Sequence, residues 1–131
     1  MSNEAEVRTG ASHTSPADPA SITITHRRAG IAEIRLGQFS GSGLLDLALA
    51  GCVFNNVVRA AAEKGIRIEQ ARVSVAGDFN DEGSSAGVEC RVEVSGDATP
   101  DQLHELARGA FDESTVAAVL RRAGKIDFYG P

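Results

Sequence analysis

The run Leu44-Leu45-Asp46-Leu47-Ala48-Leu49-Ala50-Gly51-Cys52-Val53-Phe54 carries one charge in eleven positions. Three turns of a surface helix would show a polar face, and this stretch barely does. It predicts a helix buried on nearly every side. Gly41-Ser42-Gly43 breaks the preceding pattern and opens the helix. Polar residues return from Asn55, and Ala60-Ala61-Ala62-Glu63-Lys64-Gly65 closes it, with Lys64 in the last turn and Gly65 as a left-handed cap.

Strand signals lie on both sides of this helix. Ser21-Ile22-Thr23-Ile24-Thr25-His26 alternates and is β-branched, and Ile31-Ala32-Glu33-Ile34-Arg35-Leu36 continues after Arg28-Ala29-Gly30. The two runs read as a hairpin turning at Gly30. Downstream, Val73, Val75 and Phe79 share one face of a strand, and Val88, Cys90, Val92 and Val94 share one face of the next. The polar connector 80–85 suits a hairpin loop. Thr99-Pro100-Asp101-Gln102 has the form of a capping box with proline in the first helical position. Leu103, Leu106, Ala107 and Ala110 then recur at helical spacing. Asp112-Glu113-Ser114-Thr115 interrupts, 116–122 resumes as a short helix, and 125–129 predicts a last strand.

Residues 1–20 are rich in Ser, Thr, Ala and acids, with Pro16 and Pro19 near their end. They read as a flexible N-terminal tail or an edge-pairing arm. That leaves 21–131 as a single α+β domain in the order β-β-α-β-β-α-α-β.

At 131 residues the chain suits one domain. Aromatics are 5% with no tryptophan, so aliphatics and alanine must build the core. Thirteen Lys/Arg against eighteen Asp/Glu leave a formal charge of -5, which argues against nucleic acid or an anionic membrane as partner. No apolar run approaches the roughly 20 residues of a bilayer crossing, and the amino terminus lacks a signal-peptide pattern. A cytoplasmic location is expected. Two cysteines make no disulfide scaffold, and His13, His26 and His104 show no metal-ligand spacing. Neither metal nor cofactor is expected.

Cys90, among valines on the apolar face of a strand, reads as inert packing. Cys52 shares a helix face with Ala48 and Leu49 before it and Asn55 and Asn56 after it, with Arg59 two turns on. An apolar helix that turns polar one turn after its cysteine places the thiol at an amphipathic boundary, where a small substrate and a cation can both reach it. Core filling and reactivity both remain open on spacing alone. Asn55, Asn56 and Arg59 are the candidate binding residues.

The segment 41–52, ending Leu49-Ala50-Gly51-Cys52, the helix end Ala61-Ala62-Glu63-Lys64-Gly65-Ile66 and the strand Val73-Ser74-Val75-Ala76-Gly77-Asp78-Phe79 together resemble the OsmC/Ohr family of thiol-dependent hydroperoxide reductases. The likeness runs from about 21 to 128. It implies an intertwined α+β homodimer with the long cysteine-bearing helices in its middle and sites at the subunit interface. It makes Cys52 the peroxidatic cysteine, whose sulfenic acid a second cysteine would close to a disulfide. Arg28 in the hairpin is the counterpart of the family's arginine, with Arg27 as the alternative in register and a solvated turn residue as the plain reading of either. Two positions depart from the family pattern. Ser114 stands where the resolving cysteine belongs, and Ser42 or Gly43 stands where a glutamate belongs. Asp46, the nearest carboxylate, reads as a first-turn acid placed by the helix dipole.

The expected function is therefore a one-cysteine organic hydroperoxide reductase of oxidative-stress defence, reduced by an external thiol. The alternatives are a redox-inactive dimer of the same fold that binds a small apolar or amphipathic ligand around Cys52, Asn55 and Asn56, and a purely structural dimer. Without a cation or oriented donors, a thiol of pKa ~8.5 is only a few per cent thiolate at neutral pH. The redox reading thus requires Arg28 or Arg59 to act on the sulfur.

Overall fold

The computed structural model describes residues 3–10, 21–79, 85–122 and 129. In chain order the elements are β1 (Asn3–Thr9), β2 (Ser21–His26), β3 (Gly30–Leu36), α1 (Gly41–Glu63), β4 (Ile68–Phe79), β5 (Ser85–Gly96), α2 (Pro100–Asp112) and α3 (Thr115–Arg122). The strands form one antiparallel sheet in the order β2-β3-β1-β4-β5. Its register lines up Ile22, Ile34, Val7, Val73 and Val92 in one apolar row across all five strands. α1 lies on that face over β1 and β4, and α2 packs on α1 and β5. Val53, Phe54 and Val57 of α1 are fully buried with Val73 and Val75 of β4, in a core that is mostly aliphatic among the described residues.

One expectation is corrected here. Residues 3–9 of the expected flexible tail form the middle strand of the sheet, paired with β3 on one edge and β4 on the other. Asn-Glu-Ala-Glu-Val-Arg-Thr does alternate, but its inward members on the core side are only Ala5 and Val7, too small a signal to stand out from a polar terminus. The order is consequently β-β-β-α-β-β-α-α among the described residues. Residues 11–20, and the last strand expected at 125–129 apart from an exposed Tyr129, lie outside them.

The opposite face of the sheet is charged. Arg8 on β1 is 3% exposed, and it donates from Nη1 to Glu6 at 2.8 Å and approaches Glu33 at 3.6 Å. Arg72 pairs with its cross-strand neighbour Glu93 at 2.6 Å. Arg8 lies directly across from Glu33 and Arg72 from Glu93, and opposite charges so placed stabilise those two strand pairings.

The helix ends follow from local chemistry. Ser40 caps α1, its hydroxyl accepting from the Gly43 N–H at 3.0 Å, and a side chain at Gly43 would collide with the Gln38 carbonyl. At the other end Gly65 takes φ +71, and the Ile66 and Gly65 N–H groups bond the Ala61 and Ala62 carbonyls at 2.9 and 3.2 Å. That is the six-to-one and five-to-two pattern of a Schellman cap. The capping box of α2 is complete. Thr99 N–H donates to Gln102 Oε1 at 2.9 Å and Gln102 N–H to Thr99 Oγ1 at 3.2 Å. Thr99→Ala should cost about 1 kcal/mol and lower the thermal midpoint by about 4 °C, while Thr99→Ser keeps most of it; a calorimetric melt checks both.

α1 is also long and apolar enough, by length and composition, to cross a membrane, which no contiguous run in the sequence suggested. Here it is the core helix. Ten of its residues are buried within the chain, Asp46 and Asn56 among them. The expectation of burial on nearly every side holds toward the sheet and α2 but not on the remaining side. Leu44, Ala48 and Ala62 stay exposed along one stripe, with Cys52, Asn55 and Arg59 half-buried beside them.

Candidate functional site

Cys52 lies midway along α1, on the edge of the exposed stripe, and the start of α3 is brought against it. Ser114, 2% exposed, immediately precedes α3 and does two things at once. Its hydroxyl oxygen accepts from the Ala117 N–H at 3.1 Å, the bond of a helix cap, and its proton is donated to Cys52 Sγ at 3.2 Å. Ser114 also bonds back to α2 through its N–H to the Phe111 carbonyl at 3.0 Å. The hydroxyl is therefore held between two helices and pointed at the sulfur.

Partial burial by itself pushes the Cys52 thiol up. The Ser114 hydroxyl, the N–H groups of Val116 and Thr115, and the charge of Arg59 more than offset it, and the thiol stands below its ordinary value. The free donors at a helix start, with the positive end of its dipole, are a recognised seat for a thiolate. The seat is provided by α3, not by the helix that carries the cysteine.

Arg59 owes its position to Asn56. That amide is buried, donates from Nδ2 to the Ala110 carbonyl at the end of α2 at 3.0 Å, and accepts from Arg59 Nη2 at 3.0 Å. Both ends of Asn56 are thus engaged in tying α1 to α2 and steadying the guanidinium. Asn55 faces the other way. His26 Nδ1 accepts from the Arg28 and Ala29 N–H groups, each at 3.1 Å, which puts its proton on Nε2, 3.3 Å from Asn55 Oδ1. The ring also meets Phe54 edge-on, with centroids 5.5 Å apart. His26, which the sequence analysis passed over, is what joins the β2–β3 turn to α1.

Of the residues singled out in the sequence, the chain brings Cys52, Arg59 and Ser114 together. Arg28 is elsewhere. It is exposed at the β2–β3 turn and lines a cavity of about 400 Å³ beside Val58, Ala61 and Ala62, roughly 9–15 Å along the helix axis from Cys52. Arg27 is exposed at the same turn. Asp46 is not a first-turn acid. The first turn of α1 has no acidic residue, and Asp46 is buried at 2% exposure in the following turn.

Cys90 is half-buried on β5, opposite Val75, and burial pushes its thiol up to about 11. It lines an apolar cavity of about 230 Å³ with Leu49, Phe111, Ala117 and Leu120. Leu49 is one turn before Cys52 and Ala117 is one turn into α3, so this cavity flanks the thiol site. Both cysteines are free. Among the described residues no group of His, Cys, Asp or Glu converges to hold a metal ion.

The class is that of a small α+β protein with its cysteine on the long helix laid across an antiparallel sheet. A family model described as OsmC-like protein matches residues 35–128, most of the chain. The chain belongs to the OsmC-like family, as the residues around Cys52 suggested. No curated protein matches it.

Proposed function

We propose that the protein is a thiol-dependent organic hydroperoxide reductase of oxidative-stress defence that works with one cysteine and as a homodimer. The observation that carries this reading is the donor set on Cys52 Sγ, led by Ser114 at 3.2 Å, which favours the anionic sulfur. The thiolate attacks the terminal oxygen of the hydroperoxide, the O–O bond breaks, and the organic half leaves as an alcohol carrying the hydroperoxide proton. Cys52 is left as sulfenate, which takes up a proton to become sulfenic acid. An external thiol displaces water to form a mixed disulfide, and a second thiol frees Cys52 as the thiolate again. One hydroperoxide and two thiols thus give one alcohol, one disulfide and one water.

The dimer is supported by the exposed side of α1, where Leu44, Ala48 and Ala62 lie beside half-buried Cys52, Asn55 and Arg59 and which a second copy would cover. Arg28 is exposed and distant from Cys52 of its own chain, so in this reading it would act on the Cys52 of the second copy. The test is consumption of an organic hydroperoxide by the purified protein with an added dithiol. Turnover is the expected result, and its absence overturns the enzyme reading. The flanking apolar cavity of about 230 Å³ would then favour a redox-inactive dimer that binds a small apolar or amphipathic ligand.

A further inference from the structure

We infer that Ser114 decides the fate of oxidised Cys52. With a hydroxyl set against the sulfur in place of a thiol, Cys52 is a site of sulfinate formation, reached whenever external thiol is scarce. The inference rests on the hydroperoxide reading above and concerns what happens after the first oxidation.

The Ser114 hydroxyl donates to Cys52 Sγ at 3.2 Å. A sulfenic acid condenses with a thiol, and an alcohol cannot replace it in that step. Cys90 sits on β5 opposite Val75, on the sheet and not at the start of α3 where Ser114 meets Cys52. Its thiol is also held neutral by burial, which makes it a poor attacking partner. Intramolecular closure is therefore disfavoured from both sides, and the sulfenate waits for an external thiol or a second oxidant.

The site is well furnished for the doubly oxidised product. A sulfinate has two oxygens and a full negative charge. Around the sulfur stand a hydroxyl whose acceptor side is occupied by Ala117 N–H, two N–H groups at the start of α3, and a guanidinium steadied by Asn56. All of these are donors, and charge-assisted hydrogen bonds to an anion are the strong ones. The chemistry balances with an organic hydroperoxide as the sole oxidant. Thiolate and hydroperoxide give sulfenate and alcohol. Sulfenate and a second hydroperoxide give sulfinate and a second alcohol. In each step one S–O bond forms and one O–O bond breaks, sulfur loses two electrons, and the proton stays on the alcohol. Ser114 acts as a positioning residue in both.

The test treats the full-length protein with excess tert-butyl hydroperoxide without thiol and follows it by intact mass and peptide mapping. The wild type should gain two oxygens at Cys52, not removed by dithiol, with Cys90 unchanged. Ser114→Cys should instead lose two hydrogens, form a disulfide between Cys52 and the introduced thiol that dithiol reverses, and give no two-oxygen product. Ser114→Ala should still reach two oxygens, with the first step several-fold slower; an unchanged first step overturns the positioning role. Trapping of sulfenic acid at Cys52 by dimedone, followed by arrest at one oxygen or by a Cys52–Cys90 disulfide, overturns the inference and leaves the hydroperoxide reading intact. No oxidation of Cys52 at all overturns both. The wild-type measurement decides the matter even if a variant folds poorly.

Discussion

A chain lacking residues 1–10 will show no cooperative thermal transition. β1 is hydrogen-bonded along both edges, to β3 over Ala5–Arg8 and to β4 over Asn3–Thr9. Its loss leaves β3 and β4 about 9–10 Å apart, two strand spacings with nothing between them. Val7 drops out of the apolar row beneath α1, and Glu33 loses Arg8 in a buried setting. Removing one partner of a buried ion pair alone costs about 3–5 kcal/mol. The backbone bonds and Val7 add to that, against a total stability of only about 5–15 kcal/mol for a typical domain. Circular dichroism and size exclusion on the truncated chain check it; a melt at the wild-type midpoint would mean that β1 is dispensable. Val7→Pro is the single-residue counterpart. Proline in a central strand removes a ladder donor and should cost about 3 kcal/mol or more.

That strand marks the boundary of what the sequence makes legible. Features set by neighbours in the chain were readable: the hairpin at Gly30, the Gly65 cap, the Thr99–Gln102 box and the alternation in β4 and β5. β1 has a local pattern built from one alanine and one valine, and its burial comes from β3 and β4, far along the chain. The site divides the same way. Cys52 and Arg59 share a helix, so their proximity followed from spacing. Ser114 is 62 residues from Cys52. Its place before a short helix gives away a cap; that it belongs opposite Cys52 came from the family resemblance, not from any local pattern. Asp46 was misplaced because the onset of α1 was clear and its burial was not: a carboxylate early in a helix looks like a dipole partner until the sheet beneath it is known.

Cys52→Ser is expected to abolish thiol-dependent hydroperoxide consumption, and Cys90→Ser to leave it at the wild-type rate. Two cysteines of one chain are separated here by their surroundings. Burial pushes Cys90 up to about 11, so roughly one molecule in ten thousand is thiolate at pH 7. Cys52 lies below the ordinary thiol value, so its thiolate fraction at neutral pH far exceeds that of Cys90. A more basic thiolate is intrinsically the better nucleophile, which returns roughly tenfold to Cys90. Cys52 should still react several-fold faster. Alkylation with iodoacetamide at neutral pH, followed by peptide mapping, measures this directly. The pH dependence carries the same sign. Cys52 loses reactivity only as falling pH protonates it below the free-thiol range, whereas Cys90 keeps gaining up to about pH 11. Equal labelling of the two, or loss of consumption in Cys90→Ser with the fold intact by circular dichroism, would remove Cys52 from the centre of the chemistry.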